Sequence, residues 1–167
     1  LFRSKRKIIN PNPNVNKILQ DRYIEKNFIN ELGLKTVNYI NLEDQNQLEE
    51  FKSKYNKIMI KTRKMGYDGK GQLEINHQND KYKLETKDHF IAEEKIILKY
   101  ELSLISTRYK SNKITHFLPS QNYHEDQILR QTLNPCSNIL LHHFQKMKII
   151  NEKIMSNLNY IGTMCTE

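Results

Sequence analysis

The chain has 167 residues, of which 37% are hydrophobic, and it carries a formal net charge of +8 at pH 7. This length suits one domain of ordinary size or a large part of a bigger protein. Acidic residues are interspersed with most of the lysines, so the excess charge is interpreted mainly as solvated surface. No apolar run reaches the length of a membrane span, and Cys136 and Cys165 lack the spacing of a zinc site. A reduced, cytoplasmic setting fits this composition.

The first half of the chain is predicted to combine helices with short strands. Residues 10–16 are rich in Pro and Asn and are interpreted as an extended linker, because both residue types oppose regular structure. Apolar residues recur at helical spacing through 21–32, and Gly33 is placed to end that helix. The further predicted elements are a strand at 36–40, a helix at 43–55, strands at 57–62 and 72–76, and a short helix or turn over 77–88.

The second half is predicted to contain more strands and one long helix. Strands at 90–93 and 101–108 flank a connector at 95–100, and the remaining strands are expected at 113–118, 128–132 and 160–167. An amphipathic helix is predicted over 137–158 from Ile139, Leu140, Phe144, Met147, Ile150 and Ile154. The chain shows no internal repeat.

The most informative run is KTRKMGYDGKGQ at residues 61–72. It holds three of the five glycines of the chain. Glycine has no Cβ, so the backbone N–H groups of such a loop can approach a phosphate closely. Lys61, at the end of the apolar strand 58–60, adds a fixed positive charge. The sequence therefore predicts a strand, a loop that covers a phosphate, and a second strand.

Six motifs, in order and in register, resemble one known family. They read DRYIEK at 21–26, KTR at 61–63, GYDGKGQ at 66–72, ELSLI at 101–105, HEDQILR at 124–130 and YIGTM at 160–164. Together they resemble the 5-(carboxyamino)imidazole ribonucleotide synthases, also called the ATPase subunit of phosphoribosylaminoimidazole carboxylase. These are ATP-grasp enzymes of bacterial and fungal purine biosynthesis. The resemblance extends from about residue 8 to residue 167.

The resemblance implies an α+β ATP-grasp fold with mostly antiparallel sheets and flanking helices, incomplete in this chain. Residues 1–19 would be a linker and remnant of an N-terminal domain, 20–97 the small lobe with the phosphate loop, and 98–167 the first part of the large lobe. Both ends look cut, so we expect a fragment that is inactive alone.

The implied activity is that of a carbon–nitrogen ligase. ATP and Mg²⁺ would be the cofactors, and aminoimidazole ribonucleotide would be carboxylated with bicarbonate, giving ADP and phosphate. The resemblance also implies a cytoplasmic protein that is a homodimer at full length. It implies no nucleic-acid partner and no membrane partner.

By the same resemblance, the first part of the chain supplies most of the nucleotide contacts. Arg22 is expected at the phosphate end of the nucleotide, and Lys61 would contact its α- or β-phosphate. The glycine-rich run would fold over the phosphates, and the segment 93–96 would line the adenine pocket. The residues of these two segments are Gly66, Tyr67, Asp68, Gly69, Lys70, Gly71 and Gln72, followed by Glu93, Glu94, Lys95 and Ile96.

The second part of the chain would complete the nucleotide contacts. Glu101 would accept hydrogen bonds from the ribose hydroxyls, and His124 matches a histidine near the nucleotide. Arg130 is a candidate contact to an anionic group, and Tyr67 and Asp68 are candidate contacts to the imidazole substrate. No residue is singled out as a certain catalytic group. Structural roles stay open for all of these side chains, such as a solvent-facing strand carboxylate at Glu101.

The implied magnesium site rests on Glu167. This residue matches the first of two acidic ligands, and the second would lie beyond the last residue given. Hard carboxylate oxygens together with ATP phosphates are what magnesium prefers. The chain departs from the family at Lys95 and Gln127, where glycine is usual, and this leaves the local geometry of both segments open.

Three other interpretations stay open at this stage. The first is another ATP-grasp ligase, such as a formate-using purine transformylase. The second is an inactive remnant of a decaying gene, although Lys61, the loop glycines, Glu101 and Glu167 are all intact. The third is a basic nucleic-acid-binding module, which is disfavoured because no motif combines aromatic and basic residues for stacking.

Overall fold

The computed structural model describes residues 10–65, 71–76, 80, 82–84, 89–125 and 128–167. These residues form two compact units: one comprises Leu19–Lys99 and Glu125–Ile128, and the other comprises Tyr100–His124, Leu129–Glu167 and the described part of Leu1–Ile18. The helices are α1 (Pro13–Leu19), α2 (Arg22–Glu31), α3 (Gln45–Lys54) and α4 (Phe144–Asn157), with a 3₁₀ turn at Leu141–His143. The strands are β1 (Tyr39–Leu42), β2 (Ile58–Thr62), β3 (Gln72–Ile75), β4 (Phe90–Glu94), β5 (Glu101–Arg108), β6 (Ile114–His116), β7 (Ser120–Glu125), β8 (Ile128–Leu133) and β9 (Gly162–Thr166).

The first unit is built on a four-stranded sheet in the order β1-β4-β2-β3, and every neighbouring pair is antiparallel. Its central position is Ala92, which lies opposite Ile40 on one side and Ile60 on the other. Ala92 is fully buried and is the only alanine of the chain. The core of this unit is apolar and consists of Leu42, Leu48, Phe51, Ile58, Ile60, Ile75, Leu84, Phe90 and Ala92.

Aspartates begin the two longer helices of this unit. The side chain of Asp44 accepts a hydrogen bond from the backbone N–H of Gln47, and Asp21 caps α2 in the same way. Such caps satisfy N–H groups that the first helical turn leaves without an internal partner. Gly33 follows the end of α2 with a φ of 70°, a left-handed conformation that glycine adopts without strain. The predicted helix end at Gly33 is confirmed.

The second unit is built around β5, which pairs with β6, β7 and β9, all antiparallel. Helix α4 packs on this sheet and buries Ile154 and Met155. It also buries Asn151, whose amide nitrogen donates to Leu104 O at 3.1 Å and to Ser106 Oγ at 2.7 Å. The amide oxygen of Asn151 accepts from the Thr166 hydroxyl at 2.5 Å. One buried amide therefore ties α4 to two strands.

The predicted linker at 10–16 is wrong, because Pro13–Leu19 is helical. Pro13 occupies the first helical position, where a missing N–H costs no internal hydrogen bond. Asn12 caps the helix by accepting from the Asn14 N–H at 3.0 Å. Val15 is buried, so tertiary packing adds to the local signal.

Two further predictions differ from the structure at element boundaries. Helix α4 begins at Phe144 and not at 137, and Ile139 is 77% exposed in the turns that precede it. Strand β1 lies at Tyr39–Leu42 and not at 36–40, because these are the residues that pair with β4. The predicted turn region 77–88 lies largely outside the described residues.

Strand β7 was not predicted. Its sequence SQNYHE is polar, and its buried positions, Ser120 and Asn122, are polar as well.

Across the described parts of the chain, no helix has the length and apolar character needed to cross a membrane.

Candidate functional site

The first cluster of predicted site residues lies on β2 and β4. Lys61 Nζ lies 2.8 Å from Glu93 Oε2, and Lys26 Nζ lies 3.4 Å from Glu93 Oε1. The Glu93 side chain is only 7% exposed, whereas that of Lys61 is 24% exposed. Two lysines share one carboxylate, so these three side chains together carry one net positive charge. Burial raises the pKa of the neighbouring Glu25, although the positive charges of Lys26 and Arg22 oppose the shift.

A second cluster joins the start of α2 to the end of β2. Arg63 donates to Asp21 through Nε at 2.9 Å and through Nη2 at 2.6 Å, while Arg22 Nη1 donates to Thr62 O at 2.7 Å. Burial disfavours ionisation of Asp21, but hydrogen bonds from Arg63 and from the N–H groups of Ile24 and Tyr23 outweigh it. They hold the pKa of this carboxyl below its ordinary value.

The glycine-rich run is described only at its ends. Gly66, Tyr67, Asp68, Gly69 and Lys70 lie outside the described residues, so the loop itself stays a prediction.

At the base of this run, Gln72 lies opposite Lys61 in the β2–β3 pair, and Thr62 N donates to Gly71 O at 2.9 Å. Gly71 has a φ of 74°, and a Cβ there would lie 2.9 Å from Thr62 Oγ1. The backbone conformation and the close contact at this position therefore favour glycine.

Replacing Gly71 by Ala should lower the free energy of unfolding by about 1–2 kcal/mol, through the left-handed φ and the contact with Thr62. The measurement is urea unfolding followed by circular dichroism. The double variant Gly71→Ala/Thr62→Ala removes the contact but keeps the unfavourable φ, so it separates the two causes. An unchanged unfolding midpoint in Gly71→Ala would contradict the expectation.

The predicted adenine segment 93–96 continues from β4. Glu94 N donates to Asn38 O at 2.8 Å, and Lys95 N donates to Lys57 O at 2.9 Å. The Lys95 side chain forms an ion pair with Glu74, and Ile96 is 47% exposed. The N–H groups of Glu94 and Lys95 are thus used within the protein.

In the second unit, β5 and β7 bring Glu101 and His124 together. His124 Nδ1 lies 2.8 Å from Glu101 Oε2, and both side chains are partly exposed. Asn122, two residues before His124, donates through Nδ2 to Glu167 Oε1 at 2.5 Å and accepts from the Thr132 hydroxyl at 3.1 Å. Strand β7 therefore contributes to two of the predicted positions: His124 contacts Glu101, and Asn122 contacts Glu167.

For the magnesium prediction, the comparison is between the oxygen donors that the described residues offer and those that magnesium prefers. Among the described residues, no three or more His, Cys, Asp or Glu side chains are grouped so that they could hold a metal ion. Glu167 supplies one carboxylate, with one oxygen bonded to Asn122. Magnesium is commonly held by one or two carboxylates together with phosphate oxygens, so the donor type fits.

The predicted anion contact Arg130 lies on the exposed strand β8.

Sequence reasoning assigned no role to Asp21, Lys26, Arg63 or Asn122. A signal existed for Asp21, because an aspartate immediately before a periodic apolar segment is a typical helix cap. Arg63 and Lys26 stood in the motifs but were given no partner. For Asn122, within the unpredicted strand β7, no signal was available.

The comparisons with known proteins decide the family. The model of the ATP-grasp domain matches residues 27–167. The chain belongs to the ATP-grasp family. It is 33% identical over 155 residues to the N5-carboxyaminoimidazole ribonucleotide synthase of Staphylococcus aureus (strain MRSA252), covering 90% of this chain and 41% of that protein. It is 32% identical to the synthase of Haemophilus influenzae, covering 93% of this chain and 44% of that protein.

Comparison with solved structures gives the same result as the sequence comparison. The N5-carboxyaminoimidazole synthetase from Staphylococcus aureus, complexed with ADP, superposes with a TM-score of 0.79 at 29% identity, covering 90% of this chain and 41% of that one. A synthetase from Thermus thermophilus gives a TM-score of 0.78 at 24% identity, covering 93% and 43%. The chain thus spans about two-fifths of the curated relatives it matches. The predicted resemblance and the α+β ATP-grasp fold are confirmed.

Proposed function

We propose that the protein carries out the ATP-dependent carboxylation of aminoimidazole ribonucleotide with bicarbonate, giving N5-carboxyaminoimidazole ribonucleotide, ADP and phosphate. The observation that supports this most is the similarity to curated synthases of that name over nine-tenths of the chain. The protein would be a carbon–nitrogen ligase of purine biosynthesis. A cytoplasmic location, a homodimeric state, and the absence of nucleic-acid and membrane partners belong to the same proposal.

In this proposal, residues 20–97 act as the small ATP-grasp lobe and bind the phosphates. The supporting geometry is the Lys61 and Lys26 pair on one buried carboxylate, Glu93, because the surplus positive charge suits a polyphosphate. Arg22 would contact the same phosphates. Backbone groups at the end of the segment 93–96, such as the N–H of Ile96, would contact the adenine edge, since the N–H groups of Glu94 and Lys95 donate within the protein.

Residues 98–167 act as the first part of the large lobe. Glu101 would accept hydrogen bonds from the ribose hydroxyls. Its hydrogen bond with His124 fixes the orientation of both side chains. Glu167, oriented by Asn122, would hold Mg²⁺. A bound Mg²⁺ would neutralise charge on the phosphates during transfer. Arg130, Tyr67 and Asp68 stay candidate contacts to the imidazole substrate.

The function is tested by measuring ADP release from the purified full-length protein. We expect release to require both aminoimidazole ribonucleotide and bicarbonate. A parallel reaction with formate in place of bicarbonate tests the transformylase alternative. ADP release that depends on formate, or that does not depend on aminoimidazole ribonucleotide, would refute the proposal.

A further inference from the structure

We propose that Asp21 and Arg63 are positioning residues for nucleotide binding, acting through Arg22 and the end of β2. The inference rests on the proposed function, because Arg22 and Lys61 are its predicted phosphate contacts. Neither Asp21 nor Arg63 is expected to touch the nucleotide. Their role is to fix the two segments from which the phosphate contacts project.

The Asp21 carboxylate serves two purposes at once. It caps α2 by accepting from Tyr23 N at 3.1 Å and from Ile24 N at 3.4 Å. It also receives the two-pronged contact from Arg63 and is only 1% exposed. A bidentate contact between guanidinium and carboxylate fixes orientation as well as distance. The start of α2 is therefore held in one place relative to Arg63.

Arg63 is itself fixed from several sides. Its Nη1 donates to Asn41 Oδ1 at 3.1 Å, and its guanidinium carbon lies 5.1 Å from the centre of the Tyr23 ring. Its backbone N–H donates to His89 O at 2.8 Å, and its carbonyl accepts from Arg22 N at 3.0 Å. Arg63 thus joins α2, β1 and the segment before β4 to the end of β2.

The predicted phosphate contacts lie next to this pair in the chain. Arg22 follows Asp21 directly, and its guanidinium donates to Thr62 O at 2.7 Å. Lys61 precedes Arg63 by two residues and lies on β2. Breaking the pair would release both segments from one shared anchor. Small displacements of binding groups reduce their contribution strongly, so nucleotide affinity should fall even though no nucleotide contact is removed.

The test uses Asp21→Asn, Arg63→Gln and their double variant in the full-length protein. Asn caps helices as well as Asp does, so Asp21→Asn keeps the cap and removes the charge. We expect the Kd for ADP and the KM for ATP to rise roughly tenfold or more in each single variant, with a smaller change in kcat. The double variant should lose clearly less affinity than the sum of the two single losses, because both substitutions break the same Asp21–Arg63 interaction.

Two controls separate positioning from stability. Glu49→Gln breaks the ion pair of Lys52 with Glu49 on α3, which lies in the same unit and has a buried lysine. It should leave ADP affinity unchanged. Arg63→Lys keeps the positive charge but loses the bidentate contact with Asp21. Its ADP affinity should therefore lie between those of Arg63→Gln and the wild type. Circular dichroism confirms that each variant is folded before its affinity is compared.

The outcomes distinguish the inference from the proposed function. Unchanged ADP affinity in folded Asp21→Asn and Arg63→Gln, with a lower unfolding temperature, would show a purely structural pair and overturn the inference alone. Additive losses in the double variant would also overturn it. A wild-type protein that does not bind ADP would overturn the proposed function, and the inference with it.

Discussion

Replacing Lys61 by Met is expected to weaken ADP binding about 30-fold or more, equivalent to about 2 kcal/mol or more. The lysine is a partly exposed cation at the end of a buried strand, and it is held 2.8 Å from Glu93. Removing it takes away a predicted phosphate contact without leaving Glu93 unpaired, because Lys26 Nζ lies 3.4 Å from the same carboxylate. The loss should therefore appear in affinity more than in folding. Isothermal titration calorimetry on the full-length protein measures it.

The matched control for this prediction is Lys57→Met. Lys57 lies just before the other end of β2 and is exposed, so the same change of charge and length is made away from the predicted phosphates. Its ADP affinity should match that of the wild type. Equal losses in the two variants would mean that only the overall charge matters, and would remove Lys61 from the site.

Replacing Asn151 by Ala is expected to lower the free energy of unfolding by about 2–4 kcal/mol. The side chain is fully buried and makes three hydrogen bonds, to Leu104, Ser106 and Thr166. Its removal leaves buried polar groups on β5 and the partly buried Thr166 hydroxyl on β9 without this partner, and it opens a small cavity beside α4. Urea unfolding measures the loss, and amide hydrogen exchange should accelerate first in β5 and β9.

Asn157→Ala is the control on the same helix. Asn157 is exposed, and its amide donates to Lys153 O one turn earlier. The cost there should be about 0.5 kcal/mol or less. A similar loss in both variants would indicate a general effect on helix α4 and would contradict the specific role given to Asn151.

Candidate site residues were easier to propose from the sequence than the side chains that contact them. Lys61 and the glycine-rich run stood out because a strand ending in lysine before clustered glycines is rare in this glycine-poor chain. The contact between Lys61 and Glu93 was not foreseeable, because it depends on the sheet order β1-β4-β2-β3, in which β4 inserts between β1 and β2. Sequence spacing carries no information about which distant strand becomes a neighbour.

The missed elements have a common physical cause. Strand β7 and the buried Asn151 are polar, so patterns based on apolar periodicity overlook them. Helix α1 was missed because Pro and Asn were taken as breakers, although both are favourable in the first turn of a helix. In each case polar side chains make hydrogen bonds that a search for apolar periodicity does not detect. The site roles of all the candidate residues, including Lys61, the glycine-rich run 66–72 and the segment 93–96, remain predictions.

Ala92 also limits which substitutions the sheet of the first unit tolerates. Alanine is otherwise absent from the chain, yet one remains, fully buried between two isoleucines at the middle of the sheet. Adding methyl or methylene groups to a packed core typically costs about 1–3 kcal/mol. A larger side chain at this position, one residue before Glu93, is therefore expected to destabilise the sheet that carries the Lys61–Glu93 pair.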